Sequence, residues 1–274
     1  MIKVDLDRTT AHLATRWNLT LGPPFDGGSS ATVVRCRWSD GTPAVLKVSE
    51  DRSLIAAQAA ALALFAPSGK VPAVLAADEE AGALVLEEVL PGTLAEDLPA
   101  YALPALWADL LAGLHATDPP AHPLGTLRAR CEEAFARIGR RLHDPVVAAR
   151  IGPMEWARAM QQCARLLDTT GTTVVLHGDL HPGNALDGGP ARGLVAVDPK
   201  ACLGDPCFDA VDLVLAGAGR EGVTARCAAV AGACGLDGDR LFAWARTFAP
   251  FSVVAHVANG GPEPVVDELV QLLH

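Results

Sequence analysis

Between residues 177 and 200 the chain reads His177-Gly-Asp-Leu-His-Pro-Gly-Asn184 and then Val197-Asp-Pro-Lys200, which sets one candidate base and two candidate metal ligands in a short stretch. Such a set suits phosphoryl transfer. That reaction asks little covalent chemistry of a protein, which must hold Mg2+ on the phosphates of ATP and place a carboxylate beside the attacking hydroxyl. Read against the pattern H-x-D-L-x-x-x-N, His177, Asp179, Leu180 and Asn184 fill every specified position. Asp179 is then the candidate base, and Asn184 and Asp198 are the candidate oxygen ligands for Mg2+. Lys200 is a further catalytic candidate, able to touch phosphate or to neutralise carboxylates around the metal. An isolated Asp or Asn is usually a cap or a turn former. The complete string, followed by a second acid at the end of the next apolar run, argues for chemistry.

Other motifs compete. His177-x-Asp179-x-His181 could hold a metal in a hydrolase with Cys202 and Cys207 as added ligands, but only His256 and His274 follow downstream to complete such a cluster. Gly217-Ala-Gly-Arg-Glu-Gly222 matches G-x-G-x-x-G, yet it follows a helical stretch and reads as a helix-ending loop. A P-loop is excluded where Gly69-Lys70 is followed by Val71.

These residues need elements to position them, and two lobes are legible. Asp5 to Trp17 has helical spacing of Leu6, Leu13 and Trp17. Short Val/Thr/Leu runs from Leu19 to Val48, broken at Gly27-Gly-Ser-Ser30 and at the Ser39-Asp-Gly-Thr42 turn, predict three antiparallel strands with Lys47 in the third. Ser53 to Phe65 should be a helix, and Val71 to Ala77 and Ala83 to Val89 two more strands. Beyond Leu90-Pro-Gly92 the patterns turn helical: Ala102 to His115, Arg128 to Leu142, Asp144 to Leu167, and again from Phe208 to Leu273. Val174 to Leu176 and Leu194 to Val197 are brief strands flanking the histidine-rich loop. The expected class is α+β, with a small β-rich lobe over residues 1–90 and a larger helical lobe over 91–274.

Composition narrows the partners. With 50% hydrophobic residues the chain can bury a sizeable core. Its net charge of −10 argues against nucleic acid and is compatible with a cationic small substrate. The start lacks a basic segment leading into an apolar one, and Ile55 to Ala66 is too short to span a bilayer, so a cytoplasmic protein without membrane attachment is expected. Seven scattered cysteines with no CxxC read as reduced, mostly buried thiols. Lys47 and Lys200 are two of only four lysines against eighteen arginines, which favours roles that Arg cannot fill.

Through Ser39-Asp-Gly-Thr42, Val45-Leu-Lys47, Leu86-Glu-Glu88, His177-Gly-Asp-Leu-His181, Val197-Asp-Pro199 and Gly204-Asp-Pro206, the chain resembles the aminoglycoside and hydroxyurea antibiotic kinase family, most closely its streptomycin 6-phosphotransferase branch. The resemblance implies a two-lobed protein-kinase-like fold. It implies Lys47 on the α- and β-phosphates, adenine on the backbone near Glu87, Glu88 and Val89, Asp179 as base, and Asn184 and Asp198 on Mg2+. The glycine-rich turn, with Gly28, Ser29 and Ser30, would cradle phosphate through its N–H groups. Protein kinases pair the strand lysine with a helix glutamate, and Leu54 to Leu64 offers only Gln58, so that partner would be Gln58 or a carboxylate such as Glu50 or Asp51. Acids that could meet a cationic substrate are Asp205, Asp209, Asp212 and Asp267, with Asp209 and Asp212 better suited to bracing the catalytic loop or facing solvent. The expected activity is ATP-dependent phosphorylation of a small-molecule hydroxyl, with a streptomycin-like aminoglycoside first, and an amino sugar or other hydroxylated metabolite as the alternative. A metal-dependent hydrolase and a nucleotide-binding pseudokinase are the remaining readings.

Overall fold

The computed structural model describes residues 2–25 and 31–274, with side chains from Arg8 onward. The chain divides into two compact units, Met1–Thr93 with Leu186–Lys200, and Leu94–Ala185 with Ala201–His274. Residues 186–200, assigned from sequence to the second lobe, thus cluster with the first.

The first unit is built on a five-stranded antiparallel sheet in the order β1-β2-β3-β5-β4, with β1 Thr20–Pro24, β2 Thr32–Arg37, β3 Pro43–Val48, β4 Val74–Asp78 and β5 Ala83–Glu87. Helix α1 (Ile2–Arg16) precedes it, and α2 (Arg52–Phe65) links β3 to β4. The β2–β3 hairpin follows from its turn chemistry: Gly41 takes φ +87, a conformation costly for any residue with a Cβ, and the Asp40 carboxylate accepts from the Thr42 N–H at 2.9 Å. Alternation along β3 buries Ala44, Leu46 and Val48 together with Leu13 of α1, Cys36, Ala83 and Val85. Lys47 falls on the opposite face. Helix α1 ends where Asn18 enters the left-handed region at φ +52 and the Leu19 N–H donates back to Ala14. Helix α2 buries Ile55, Leu62 and Phe65, and its N-terminus is capped by Asp51, which accepts from the Leu54 N–H at 3.1 Å. A two-stranded ladder of Ala185–Asp187 with Leu194–Ala196 accompanies this unit.

The second unit is mostly helical: α3 Leu103–His115, α4 Leu127–Gly139, α5 Pro145–Ala148, α6 Pro153–Asp168, α7 Val211–Leu215, α8 Val223–Cys234, α9 Gly238–Ala258 and α10 Glu263–Gln271. The stretch read as one helix from Asp144 to Leu167 is two, because Gly152-Pro153 restarts it: Pro occupies the first helical turn and Glu155 accepts from the Gly152 N–H. A small sheet of Gly125–Thr126, Cys202–Gly204 and Val174–Leu176 runs through the unit, its central strand parallel to the first and antiparallel to the last. The core is aromatic, with Phe135, Trp156, Phe248 and Phe251 in mutual ring contact and Trp107 and Trp244 fully buried. Helix α9 is long and apolar enough to cross a bilayer by length and composition, but Leu241, Trp244, Phe248 and Val253 on it are buried in this core.

Candidate active site

The first unit contributes a lysine and an acid in direct contact. Lys47 sits in a central strand, paired with Val33 and Leu84, and is 3% exposed. Its Nζ donates to Asp198 Oδ1 at 2.6 Å. An ammonium this buried needs a counter-charge, and Asp198 supplies it. Among the described residues the carboxylate on Lys47 is Asp198, while Asp51, one of the partners considered from sequence, caps α2. Asp198 follows strand Leu194–Ala196 with φ +59, a region that Asp tolerates better than most side-chain-bearing residues. Lys200, two residues on, is exposed.

At the end of β5 the acids bond to protein groups. Glu87 Oε1 accepts from Arg192 Nη1 at 2.7 Å and its Oε2 from the Ala73 N–H at 3.0 Å, while Glu88 accepts from Arg35 at 3.1 Å. Arg192 also donates to the carbonyls of Gly69 and Val71. With both carboxylates so engaged, the backbone of this segment is what it offers most readily to a ligand. Gly28, Ser29 and Ser30 of the glycine-rich turn lie outside the described residues.

The second unit carries the loop that follows strand Val174–Leu176. Asp209, fully buried, holds it: the carboxylate accepts from the His177 N–H at 2.7 Å and from the Gly178 N–H at 2.9 Å, and meets His115 Nε2 at 3.1 Å. Burial alone would raise the Asp209 pKa, but the hydrogen bond and charge of His115, the charge of His177 and the Gly178 N–H outweigh it and hold the carboxyl below its ordinary value. Trp107 Nε1 fixes the backbone of Asp209 through its carbonyl. Gly178, at φ +77, makes the turn that lets two successive N–H groups face one carboxylate. The buried His177 ring accepts from the Asp179 N–H at 3.4 Å. Asn184 closes the loop, its Nδ2 donating to the Asp179 carbonyl at 2.9 Å. That bond turns the Asn184 Oδ1 away from Asp179, leaving a carbonyl oxygen for a hard cation.

Around Asp179 lie one cation and one further acid. Arg130 Nη2 of α4 is 3.9 Å from Asp179 Oδ1. Asp212 is exposed, yet protein crowds its inner side, and desolvation followed by the like charges of Asp179 and Asp209 pushes its carboxyl up to about 7. The other acids considered for a cationic substrate are taken. Asp205 is buried and accepts from Trp244 Nε1 at 2.7 Å, from the Cys207 N–H at 3.0 Å and from Arg240; Asp267 pairs with Arg150. His181 is exposed. The hydrolase arrangement does not form: among the described residues no three His, Cys, Asp or Glu side chains are grouped to hold a metal, and burial pushes the Cys202 and Cys207 thiols up to about 12. The glycine motif at 217–222 is the helix-ending loop expected, its Gly219 and Val223 N–H groups accepted by Glu268. Sequence reasoning missed Arg130, Arg192 and His115.

The sequence pattern of the aminoglycoside/hydroxyurea antibiotic resistance kinase family matches residues 16–260. A hydroxyurea phosphotransferase of Kitasatospora aureofaciens is 31% identical over 242 residues, 85% of this chain and 68% of that protein. A streptomycin 6-kinase of Streptomyces glaucescens is 31% identical over 200 residues, 72% of this chain, and the match spans less than two thirds of that protein, 62%. A choline kinase from Streptococcus pneumoniae superposes with TM-score 0.68 at 13% identity, over 98% of this chain and 99% of that one. The protein-kinase-like fold expected from sequence is therefore the one observed.

Proposed function

The chain belongs to the aminoglycoside/hydroxyurea antibiotic resistance kinase family, and we propose that it transfers the γ-phosphoryl group of ATP directly to a hydroxyl of a small molecule. The observation that carries the reading is the loop of residues 177–184, which is tied to buried Asp209 through the His177 N–H and closed on itself by Asn184 Nδ2 donating to the Asp179 carbonyl. Asp179 accepts the proton of the attacking hydroxyl as its oxygen bonds to the γ-phosphorus, the bond to the β-phosphate oxygen breaks, and ADP departs. Asn184 and Asp198 are the residues to hold Mg2+. Two protein oxygens suit an ion that takes its remaining ligands from phosphate and water. When bound, Mg2+ neutralises charge developing on the phosphates. Lys47 offers a fixed positive charge for the α- and β-phosphates, and the backbone at residues 87–89 offers groups for adenine.

Of the four acids weighed for a cationic acceptor, Asp205, Asp209 and Asp267 are held in protein ion pairs, which leaves Asp212. That pattern supports an acceptor with little positive charge near the reacting hydroxyl, the hydroxylated-metabolite reading, over a polycationic aminoglycoside. A chain using ATP and Mg2+ also suits the cytoplasm. The test is a coupled ADP-release screen with ATP or GTP against streptomycin, other aminoglycosides, hydroxyurea, amino sugars and free sugars. Acceptor-dependent ADP release is expected with at least one hydroxylated compound. Mg2+-dependent nucleotide binding with no acceptor activity would favour the pseudokinase.

A further inference from the structure

The second unit holds a cavity of about 450 Å³ between α6, α9 and the residues that follow α10. Arg158 and Arg165 of α6 and Arg246 of α9 line it, and none of residues 177–184, Arg130 or Asp212 does. Two of these guanidiniums are set in place by neutral groups. Arg165 donates to Gln162 Oε1 through Nε at 3.0 Å and Nη2 at 2.7 Å, and Arg246 donates through Nε to the Leu272 carbonyl at 2.9 Å. Arg158 makes no hydrogen bond or ion pair among the described residues. The one acid of the lining, Glu155, accepts from the Gly152 N–H at 3.1 Å, and among the described residues none of the three arginines is in an ion pair. A guanidinium oriented by an amide or a carbonyl keeps its whole charge for a visitor, which one matched to a carboxylate does not. In a chain of net charge −10, three such groups on one concave surface form a local positive site against the field of the whole molecule.

We propose that this cavity binds a small phosphate monoester, at a site separate from the groups assigned to phosphoryl transfer. A phosphate monoester carries close to two negative charges at neutral pH and three outer oxygens that accept strongly, whereas a carboxylate brings one charge and two oxygens. Three guanidiniums suit the former in both charge and donor number. The volume lies within the range of small-ligand pockets. Ala159 of α6 and Ala243 of α9, in the same wall, give the body of the ester an apolar surface to lie on. Such a site is independent of the phosphotransferase reading, since it shares no residue with it.

The experiment is titration calorimetry of the full chain with phenyl phosphate, inorganic phosphate and citrate, in Mg2+ and a saturating non-hydrolysable ATP analogue that keeps the nucleotide site filled. Wild type should bind phenyl phosphate at a single site, more tightly than inorganic phosphate because of the apolar wall, and more tightly than citrate. Arg158→Gln and Arg246→Gln should each weaken phenyl phosphate binding about three- to tenfold, the net worth of a hydrogen bond, and the charge-reversed Arg158→Glu should abolish it. Arg158 makes no bond that its replacement would break, and melting confirms that each variant is folded. Arg141→Gln removes the same charge from an exposed arginine outside the lining and should leave the affinity unchanged. Weakening by Arg141→Gln equal to that by Arg158→Gln would reduce the cavity to diffuse attraction and overturn the proposal. So would the absence of saturable binding by wild type, an unchanged affinity in folded Arg158→Glu, or tighter binding of citrate than of phenyl phosphate.

Discussion

The two units hold their functional acids in opposite ways. In the first, Asp198 is gripped by its own carboxylate, which takes the Lys47 ammonium at 2.6 Å, on a backbone turned to φ +59. In the second, the loop that carries Asp179 is fixed through main-chain groups, the His177 and Gly178 N–H groups on buried Asp209 and the Asp179 carbonyl on Asn184. The difference suits the two tasks. In the proposed roles, a metal ligand beside a lysine can be pinned, since both groups would serve the same phosphates. A base would have to meet a substrate hydroxyl, and the loop that carries it is held through its main chain.

This contrast can be broken by substitution. The largest effect is expected from Asp179→Asn, which should lower turnover by about 10²–10⁴-fold while leaving nucleotide affinity within a few-fold, measured by ADP release and calorimetry. Full turnover in this variant would remove Asp179 as the base. Next, Asp198→Ala should abolish the Mg2+-dependent part of nucleotide binding, and Lys47→Met should weaken nucleotide binding with or without the ion. Asp209→Ala tests the scaffold rather than the chemistry. It strands two buried N–H groups and the His115 ring, so urea unfolding should show a loss of about 3–5 kcal/mol, with turnover falling as the loop loosens.

The smallest effect concerns Asp212. Its folded pKa is raised to about 7, so between the ordinary carboxylate range near 3.8 and 7 the folded chain binds the proton that the unfolded chain releases. That contribution is fully present below about pH 4 and is lost as pH rises through 7. Asp212→Asn should therefore flatten stability between pH 4 and 7 and unfold at higher denaturant than wild type at pH 8. A difference curve independent of pH would show that Asp212 titrates normally.

What the sequence discloses follows from how locally each feature is written. The string 177–184 is legible because its chemistry lies within eight residues. Asp209 and Asp212 read alike from sequence, as loop braces or solvent-facing acids, and the fold separates them: Asp209 is the brace and Asp212 is exposed. Arg130 gave no signal: an arginine on a helix with Arg128, Glu132 and Arg137 reads as part of a solvated face, and only the fold brings it to Asp179. Arg192, close to Asp198 in sequence, was equally silent, because its role depends on Glu87 more than a hundred residues earlier. The strands Gly125–Thr126, Ala185–Asp187 and Cys202–Gly204 are too short for any periodicity to show. The break at Gly152-Pro153 was legible in principle, since Pro favours a first helical turn as much as it interrupts one.

The central proposal is that Asn184 and Asp198 both serve the Mg2+ that accompanies ATP. A double-mutant cycle on Mg2+·ATP-analogue affinity tests it most directly, using Asn184→Ala, Asp198→Ala and the pair, by calorimetry at fixed ionic strength. Shared ligation predicts strong non-additivity, with a coupling of about 1–3 kcal/mol, because the second substitution finds the ion already lost. Losses that add to within about 0.5 kcal/mol would mean that the two residues act independently, contradicting the account.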